Sequence, residues 1–359
     1  MATSFSWLHL TDFHQGMKEQ DSLLKGVMYR FFEDLERLHD KCGPWDLVLF
    51  TGDLTQRGSV KEFQKLNEIL DQLWDHFKHL GFEPKFLAVP GNHDLVRPKK
   101  LNDSTKLLLQ WNDDEVKREF LQNEKSAYRK VITRAFKNYT DWFKNRPFKP
   151  ENINEGLLPG DFSVTIEKGD AKLGIVGLNT SFFQLNDDNE LIVDTQQFHQ
   201  ACGGNGPIWA EQRDACLLMT HHPPSWLTSD SQEQLNGEIT DRGRFAAHLC
   251  GHLHEVKPSC FSEGGAELKY IWQSRSLFGL EYVEVENAGK KEKVERSHGY
   301  TAGKIELGDK VGTLTFWPRK ENRQIGGQRR IIPEPDIDLI DNQHTTPREF
   351  VVHAKKKLA

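Results

Sequence analysis

Apolar residues recur along this chain with two spacings. Between Ser22 and Asp40 they fall at Leu23, Leu24, Val27, Phe31, Phe32, Leu35 and Leu38. Between Val60 and Phe77 they fall at Phe63, Leu66, Ile69, Leu70, Leu73, Trp74 and Phe77. A stripe that repeats every three or four residues is one face of an α-helix, so both stretches are predicted helical. Cys42-Gly43-Pro44 closes the first and Gly81 the second. Shorter apolar runs, Phe5–Thr11, Asp46–Thr51 and Phe86–Val89, are predicted buried strands. The order is therefore βαβαβ, which predicts a parallel sheet. Ligand sites in such sheets lie at the carboxyl edge.

The rest of the chain is less regular. Residues 95–150 hold helical patterns at Leu107–Trp111, Val116–Phe120 and Tyr128–Phe143 and no strand signal. Phe162–Ile166, Leu173–Leu178 and Ala215–Thr220 read as strands, and Phe245–Cys250 is a further apolar run. Residues 184–206 are polar and Gly-rich, predicting loop with a short helix from Thr195. After Gly264 the pattern is strand-rich: Leu268–Gln273, Leu277–Val285, Tyr300–Leu307 and Gly312–Trp317. Pro318 to Arg330 carries Arg319, Lys320, Arg323, Arg329 and Arg330, followed by Pro333 and Pro335. It reads as linker or surface wrap. Pro347–Leu358 reads as the start of a short amphipathic helix. The expected organisation is one α/β domain over 1–318 with a helical insert at about 95–150. A linker or tail over 319–359 follows, leading into a further domain.

Composition narrows the setting. Apolar residues make up 37% of the chain and charged residues 28%, as in soluble globular proteins. No run of 18 apolar residues exists, so no membrane partner is expected. The N-terminus has no basic start and no apolar segment of a secretory signal. Five cysteines, an odd number without CxxC spacing, read as reduced thiols in a cytoplasmic protein. The net charge of −6 argues against a protein that coats nucleic acid all over. Residues 95–150 depart from it: 14 Lys and Arg against 7 Asp and Glu give +7. Such a segment either guides a polyanion or is a solvated helical surface.

The chemistry sits where the strands end. The first strand runs into Asp12-Phe13-His14, the second into Gly52-Asp53 and the third into Gly91-Asn92-His93-Asp94. The run at Ala215 ends in His221-His222-Pro223-Pro224, and the run at Phe245 ends in Gly251-His252-Leu253-His254. Alternate residues of an extended segment share a face, so Asp-x-His and His-x-His each converge two donors. Mixed imidazole and carboxylate donors suit Mn, Fe, Zn or Ni better than Mg or Ca. A single structural zinc is a closed set of four ligands, usually rich in Cys. Seven candidate ligands are too many for it.

In order and in residue type, these five blocks resemble the signature of the calcineurin-like metallophosphoesterase superfamily, over roughly residues 5–317. The resemblance implies an α/β fold: a four-layer α/β/β/α sandwich of two mixed sheets, here with a helical insert. It implies two divalent metal ions per chain, with manganese expected and iron, zinc or nickel as alternatives. By motif position, Asp12, His14 and His254 would hold the first ion. Asn92, His221 and His252 would hold the second, and Asp53 would bridge both. His93 would act on the substrate as a general acid, with Asp94 orienting it, and Asn92 and His222 would contact substrate. The motif position favours His221 over His222 as the ligand.

Hydrolysis of a phosphate ester needs a nucleophile at neutral pH and neutralisation of developing charge. Two metals ~3.5–4 Å apart supply both, because water between them ionises readily. The blocks Thr51–Thr55, Val89–Asp94, His221–Pro224 and Cys250–His254 look most like the bacterial cyclic-nucleotide-phosphodiesterase branch. That branch lacks a helical insert of this size. The expected substrate is a phosphodiester of a nucleotide or nucleic acid. The alternative is a DNA or RNA nuclease that serves as effector of a larger regulatory or defence protein, with a fused or associated sensor domain.

Overall fold

Alternation along the strands decides which layer each side chain enters. The computed structural model describes residues 3–17, 20–186, 190–262, 268–278, 281–283, 293–295, 298–323 and 327–353. The predicted βαβαβ start is present. It comprises β1 (Thr3–Leu10), α1 (Gln20–Cys42), β2 (Leu47–Thr51), α2 (Val60–His79) and β3 (Lys85–Val89), with all three strands parallel. Ser59 caps α2 by accepting the Glu62 amide, and Glu62 returns the bond to the Ser59 backbone. The insert follows as α3 (Asp103–Leu108), α4 (Asp114–Gln122), α5 (Ala127–Ala135) and α6 (Lys137–Lys144).

The second half begins with β4 (Asn154–Glu155), β5 (Phe162–Lys168), β6 (Ala171–Gly177), α7 (Thr195–Ala201), α8 (Gly206–Glu211) and β7 (Ala215–Met219). It continues through α9 (Ser229–Gln234), β8 (Ala247–Cys250), β9 (Lys257–Phe261) and β10 (Lys269–Gln273). A small pair, β11 (Glu281–Val283) and β12 (Lys293–Glu295), precedes β13 (Gly299–Leu307), β14 (Val311–Arg323), β15 (Arg329–Pro333) and β16 (Arg348–Val351). One sheet runs β15-β14-β13-β1-β2-β3, with β16 also paired to β14; the other runs β4-β5-β6-β7-β8-β10-β9. Both are mixed. In the first, β1, β2 and β3 are parallel and β13 is antiparallel to β1. In the second, β6, β7, β8 and β10 are parallel.

Phe5, Trp7, Leu47, Leu49, Leu87 and Val89 point between the sheets and join Leu173, Ile175, Leu217, Met219, Leu249 and Trp272. Their neighbours Leu8, Leu10, Val48, Phe50, Phe86 and Ala88 lie under Phe31, Leu35, Leu66 and Leu70 of α1 and α2. On the far side, Val176, Cys216 and Leu218 meet Phe198 and Trp209 of α7 and α8. The result is the expected four-layer α/β/β/α sandwich. Across its middle, Trp272 and Phe316 stack at 4.1 Å between centroids, 7° from parallel. Among the described residues no helix is long and apolar enough to cross a membrane.

The insert has its own apolar cluster of Leu95, Leu108, Trp111, Phe120, Ile132 and Phe136, closed by Phe182 and Phe183 from the loop after β6. It is tied to the body through α6. Trp142 stacks on Phe63 of α2 at 5.0 Å, and the Tyr139 hydroxyl donates to the carbonyl of Ala88 in β3.

Three expectations need correction. The linker expected from 319 onward is not one: β14 runs unbroken through Pro318 to Arg323, and β15 and β16 pair with it. One of the charges that suggested a linker, Arg319, is instead buried and partnered inside. Arg319 grips the buried Asp34 of α1 through Nε at 2.8 Å and Nη2 at 2.5 Å, and Tyr300 donates to the same carboxylate at 2.7 Å. Glu321 is also buried and takes Arg30 and Arg329. The helix expected to start at Pro347 is strand β16 over Arg348–Val351; the part of that stretch from 354 lies outside the described residues. Of the strand expected over Leu277–Val285, 277–278 form a turn and Glu281–Val283 is strand, while 279–280 and 284–285 lie outside the described residues.

Removing one partner of a buried ion pair strands the other charge at a cost of about 3–5 kcal/mol. Arg319→Met is therefore expected to lower unfolding free energy by that amount in urea melts. A loss below ~1 kcal/mol would show that residues after 318 are not integral to the fold.

Candidate metal centre

The sandwich brings five strand ends to one edge. Asp12 and His14 follow β1, Asp53 follows β2, and Asn92 and His93 follow β3. His221 and His222 follow β7, and His252 and His254 follow β8, from the second sheet. β1, β2 and β3 are parallel to one another, as are β7 and β8, so both sheets offer carboxyl ends.

The backbone turns sharply to present them. Asp12, His14, Asp53, His252 and His254 all have positive φ, between 50° and 75°. Asp and His tolerate this left-handed region better than most residues, yet each instance costs of order 1–3 kcal/mol. Neighbouring loops hold them there. The Asp12 amide donates to Gly52 O at 3.0 Å, the His14 amide to Asp53 O at 2.9 Å, and the His252 amide to Asp12 Oδ2 at 3.0 Å. The Ser276 hydroxyl donates to Asp12 O at 2.7 Å. Two glycines make room: a Cβ at Gly91 would lie 2.1 Å from Asp53 Oδ1, and one at Gly251 would lie 1.9 Å from Thr11 Oγ1.

The donor atoms form two adjoining sets. His254 Nε2 lies 3.4 Å from both His14 Nε2 and Asp12 Oδ1, and the last two are 3.8 Å apart. Around His221 Nε2 stand Asn92 Oδ1 at 3.1 Å, His252 Nδ1 at 3.2 Å and Asp53 Oδ2 at 3.3 Å. Asp53 Oδ2 is also 3.7 Å from His14 Nε2, so this one oxygen stands between the sets. Its partner Oδ1 accepts the His93 amide at 2.8 Å.

These residues fit divalent ions. Donors ~2.1 Å from a shared ion stand ~3–4 Å from one another, the spacing seen here. Asp12 Oδ1 is buried and accepts no hydrogen bond from any described residue, although it faces His14 and His254. Among groups of His, Cys, Asp and Glu whose donor atoms lie within 4.8 Å of one another are Asp12–His14–His254 and Asp12–Asp53–His221.

Protonation suits the same role. Burial alone would push Asp53 up, but the imidazoles of His221, His93 and His14 hold it well below the usual carboxylate range. Asp12 is likewise lowered: burial opposes ionisation, and His254 and His221 outweigh it. Burial brings His14 down to about 4, against the pull of Asp53 and Asp12. Burial and the neighbouring His221 bring His252 down to about 4. Both rings are therefore neutral at pH 7 and offer lone pairs. His221 differs. Burial lowers it, but the Asp53 carboxylate prevails and lifts it to about 9. An ion bound there displaces that proton. His221 Nδ1 faces Thr51 O at 2.8 Å, a group that only accepts, so Nδ1 carries hydrogen and Nε2 is the nitrogen that could take a metal.

The expected orienting pair His93–Asp94 is not what the structure contains. The Asp94 carboxylate accepts from the Leu54 amide at 3.1 Å, the Thr55 amide at 2.8 Å, the Thr55 hydroxyl at 2.9 Å and the Gly91 amide at 2.9 Å. It ties the loop after β2 to the loop after β3. Burial and the nearby Asp53 raise it to about 7 despite those donors. His93 Nδ1 instead donates to the Gln56 carbonyl at 3.0 Å, which leaves Nε2 free of the backbone. A backbone carbonyl leaves no mark in sequence.

His222 is held by a residue the sequence did not single out. Thr180 Oγ1 accepts the His222 amide at 3.2 Å and lies 2.9 Å from its Nδ1. With the hydroxyl hydrogen given to Nδ1, the ring hydrogen resides on Nε2. Burial, with His221 and His252 close by, keeps this ring neutral.

Asp94→Asn would turn an amide NH2 toward two of the four donors, leaving them without an acceptor. Each buried donor left unpaired costs ~1–3 kcal/mol, so this variant is expected to melt at clearly lower denaturant. Unchanged stability with a selective loss of turnover would return Asp94 to the role of orienting His93.

The family model for calcineurin-like phosphoesterases matches residues 5–256. A curated relative, described as a probable glycerophosphodiester phosphodiesterase of Arcobacter nitrofigilis, is 23% identical over 234 residues. That alignment takes in 61% of this chain, which spans 60% of the relative's length. Two solved structures are similar at a low level. GAP50, the anchor in the inner membrane complex of Plasmodium, has a TM-score of 0.44 and 11% identity, covering 88% of this chain and 84% of that one. The purple acid phosphatase PPD1 of yellow lupin has a TM-score of 0.44 and 10% identity, covering 93% and 54%. The family model alone spans more than half of the chain, a range that takes in the strand ends just described, and by it the chain belongs to the calcineurin-like phosphoesterase family.

Proposed function

We propose that this protein is a hydrolase of phosphodiesters of nucleotides or nucleic acid that works with two divalent ions, manganese first among them. The observation that carries the reading is Asp53 Oδ2, set 3.3 Å from a nitrogen of one donor set and 3.7 Å from a nitrogen of the other. When bound, two ions supply a nucleophile at neutral pH and neutralise charge on the phosphoryl oxygens. The chain supplies the rest. Asp12, His14 and His254 would hold one ion, and Asn92, His221 and His252 the other, with Asp53 shared. With two carboxylates and otherwise neutral ligands, the loaded centre is left cationic and attracts a phosphate anion. His93 donates its Nδ1 hydrogen to the Gln56 carbonyl, so it would protonate the leaving oxygen from Nε2 as the imidazolium, with both ring nitrogens carrying hydrogen. His222 offers an Nε2 hydrogen to a phosphoryl oxygen. The relative's description as a glycerophosphodiester phosphodiesterase favours diesters over monoesters.

The second reading, a nuclease serving a larger protein, rests on the +7 balance of residues 95–150. DNA affinity that falls steeply with salt would favour it.

The Mn²⁺-loaded protein is expected to cleave bis(p-nitrophenyl) phosphate, and chelation to abolish that. Failure on this diester across Mn, Fe, Zn and Ni contradicts the proposal. Cleavage of a labelled DNA oligonucleotide as well would select the nuclease reading. Two variants separate the roles. Asp53→Ala should lose both turnover and bound metal. His93→Ala should keep its metal and lose ~10²–10⁴ in rate; metal loss from this variant would make His93 a ligand instead.

A further inference from the structure

After His221 and His222 the chain is stiffened by Pro223 and Pro224 and makes one 3-10 turn, Pro224–Trp226. The Trp226 amide donates to Pro223 O at 3.0 Å, the Leu227 amide to Pro224 O at 3.1 Å, and the Thr228 amide to Leu191 O at 3.0 Å. Leu227 enters the core outside the second sheet. Trp226 goes the other way and stays 49% exposed. Single exposed apolar residues are common and need no explanation. This one is different in its place. Its ring lies 4.7 Å from the ring of His252, at 81°, and His252 in turn lies 4.5 Å from the ring of His222. An indole on a rigid turn, half in water, therefore stands at the wall of the candidate metal centre. Trp brings a large aromatic face with only two rotatable bonds to immobilise.

We propose that Trp226 is the platform on which the planar base of a nucleotide stacks when its phosphate occupies the centre; this rests on the phosphodiesterase reading above. A phosphate seated among His93, His222 and His252 carries its substituent past the indole. A base presents a π-face to it, and stacking of this kind is sequence-tolerant because every base has one. A glycerol substituent has no such face. The platform thus makes the site prefer nucleotide esters to aliphatic ones, in contrast to the glycerophosphodiester named for the curated relative.

The test is calorimetric titration of the Mn²⁺-loaded protein with AMP and, separately, with glycerol 3-phosphate. One stacked base is expected to make AMP bind ~5–150-fold more tightly. Trp226→Ala should bring that ratio close to one, and Trp226→Phe should keep most of it. Equal affinities in the natural protein, no AMP binding, or a ratio that survives Trp226→Ala would overturn the proposal. The diester assay reads the other claim separately. Turnover without AMP preference sinks the platform alone; AMP preference without turnover sinks only the phosphodiesterase reading.

Discussion

Two buried carboxylates govern this structure. Asp12 and Asp53 are both almost wholly removed from water, and both are held anionic. Around them stand the rings of His14, His93, His221, His252 and His254, neutral at pH 7 in the cases of His14 and His252. Buried charge of one sign is costly unless paired. Protonated His221 offsets one charge within the protein. The orphaned Asp12 Oδ1 shows that the pairing is incomplete. Divalent cations, held by the donors gathered at this edge, would complete it.

That arrangement has to be forced on the backbone. Five left-handed residues near one point are strained, and strain of this sort persists only where the surroundings over-determine it. Here the surroundings come from both halves of the chain. Asp94 knots the loops after β2 and β3, Thr51 O fixes the ring of His221 from across the sandwich, and Ser276 holds the carbonyl of Asp12. The sheets meet through Trp272 and Phe316, so packing far from the edge sets how the two groups of strand ends approach. The segment from β14 onward belongs to this frame. Glu334, buried after β15, grips Arg275, the neighbour of Ser276.

Much of this was legible in the sequence, for definite reasons. Period-2 and period-3.6 patterns mark β1, α1, β2, α2 and β3, and polar residues directly after apolar runs mark the edge. The donors Asp12, His14, Asp53, Asn92, His221, His252 and His254 all converge there. What stayed hidden was of two kinds. Arg319 belongs to a basic stretch that reads as linker or surface wrap, whereas it and Glu321 alternate inward from β14 toward Asp34, Arg30 and Arg329. Nothing local distinguishes a paired buried charge from an exposed one. The true support of His93 is the Gln56 carbonyl, and that of His222 is Thr180, more than forty residues before it in the chain. The family resemblance made Asp94 the expected partner of His93, but its side chain turns to backbone amides instead.

The central claim is one centre shared by two sheets, with two ions bridged by Asp53. It is tested most directly by electron paramagnetic resonance of the protein loaded with Mn²⁺. Two ions ~3.5–4 Å apart are exchange-coupled, so the account predicts two manganese per chain and the many-line spectrum of a coupled pair. A single manganese per chain with the six-line spectrum of an isolated ion would contradict it.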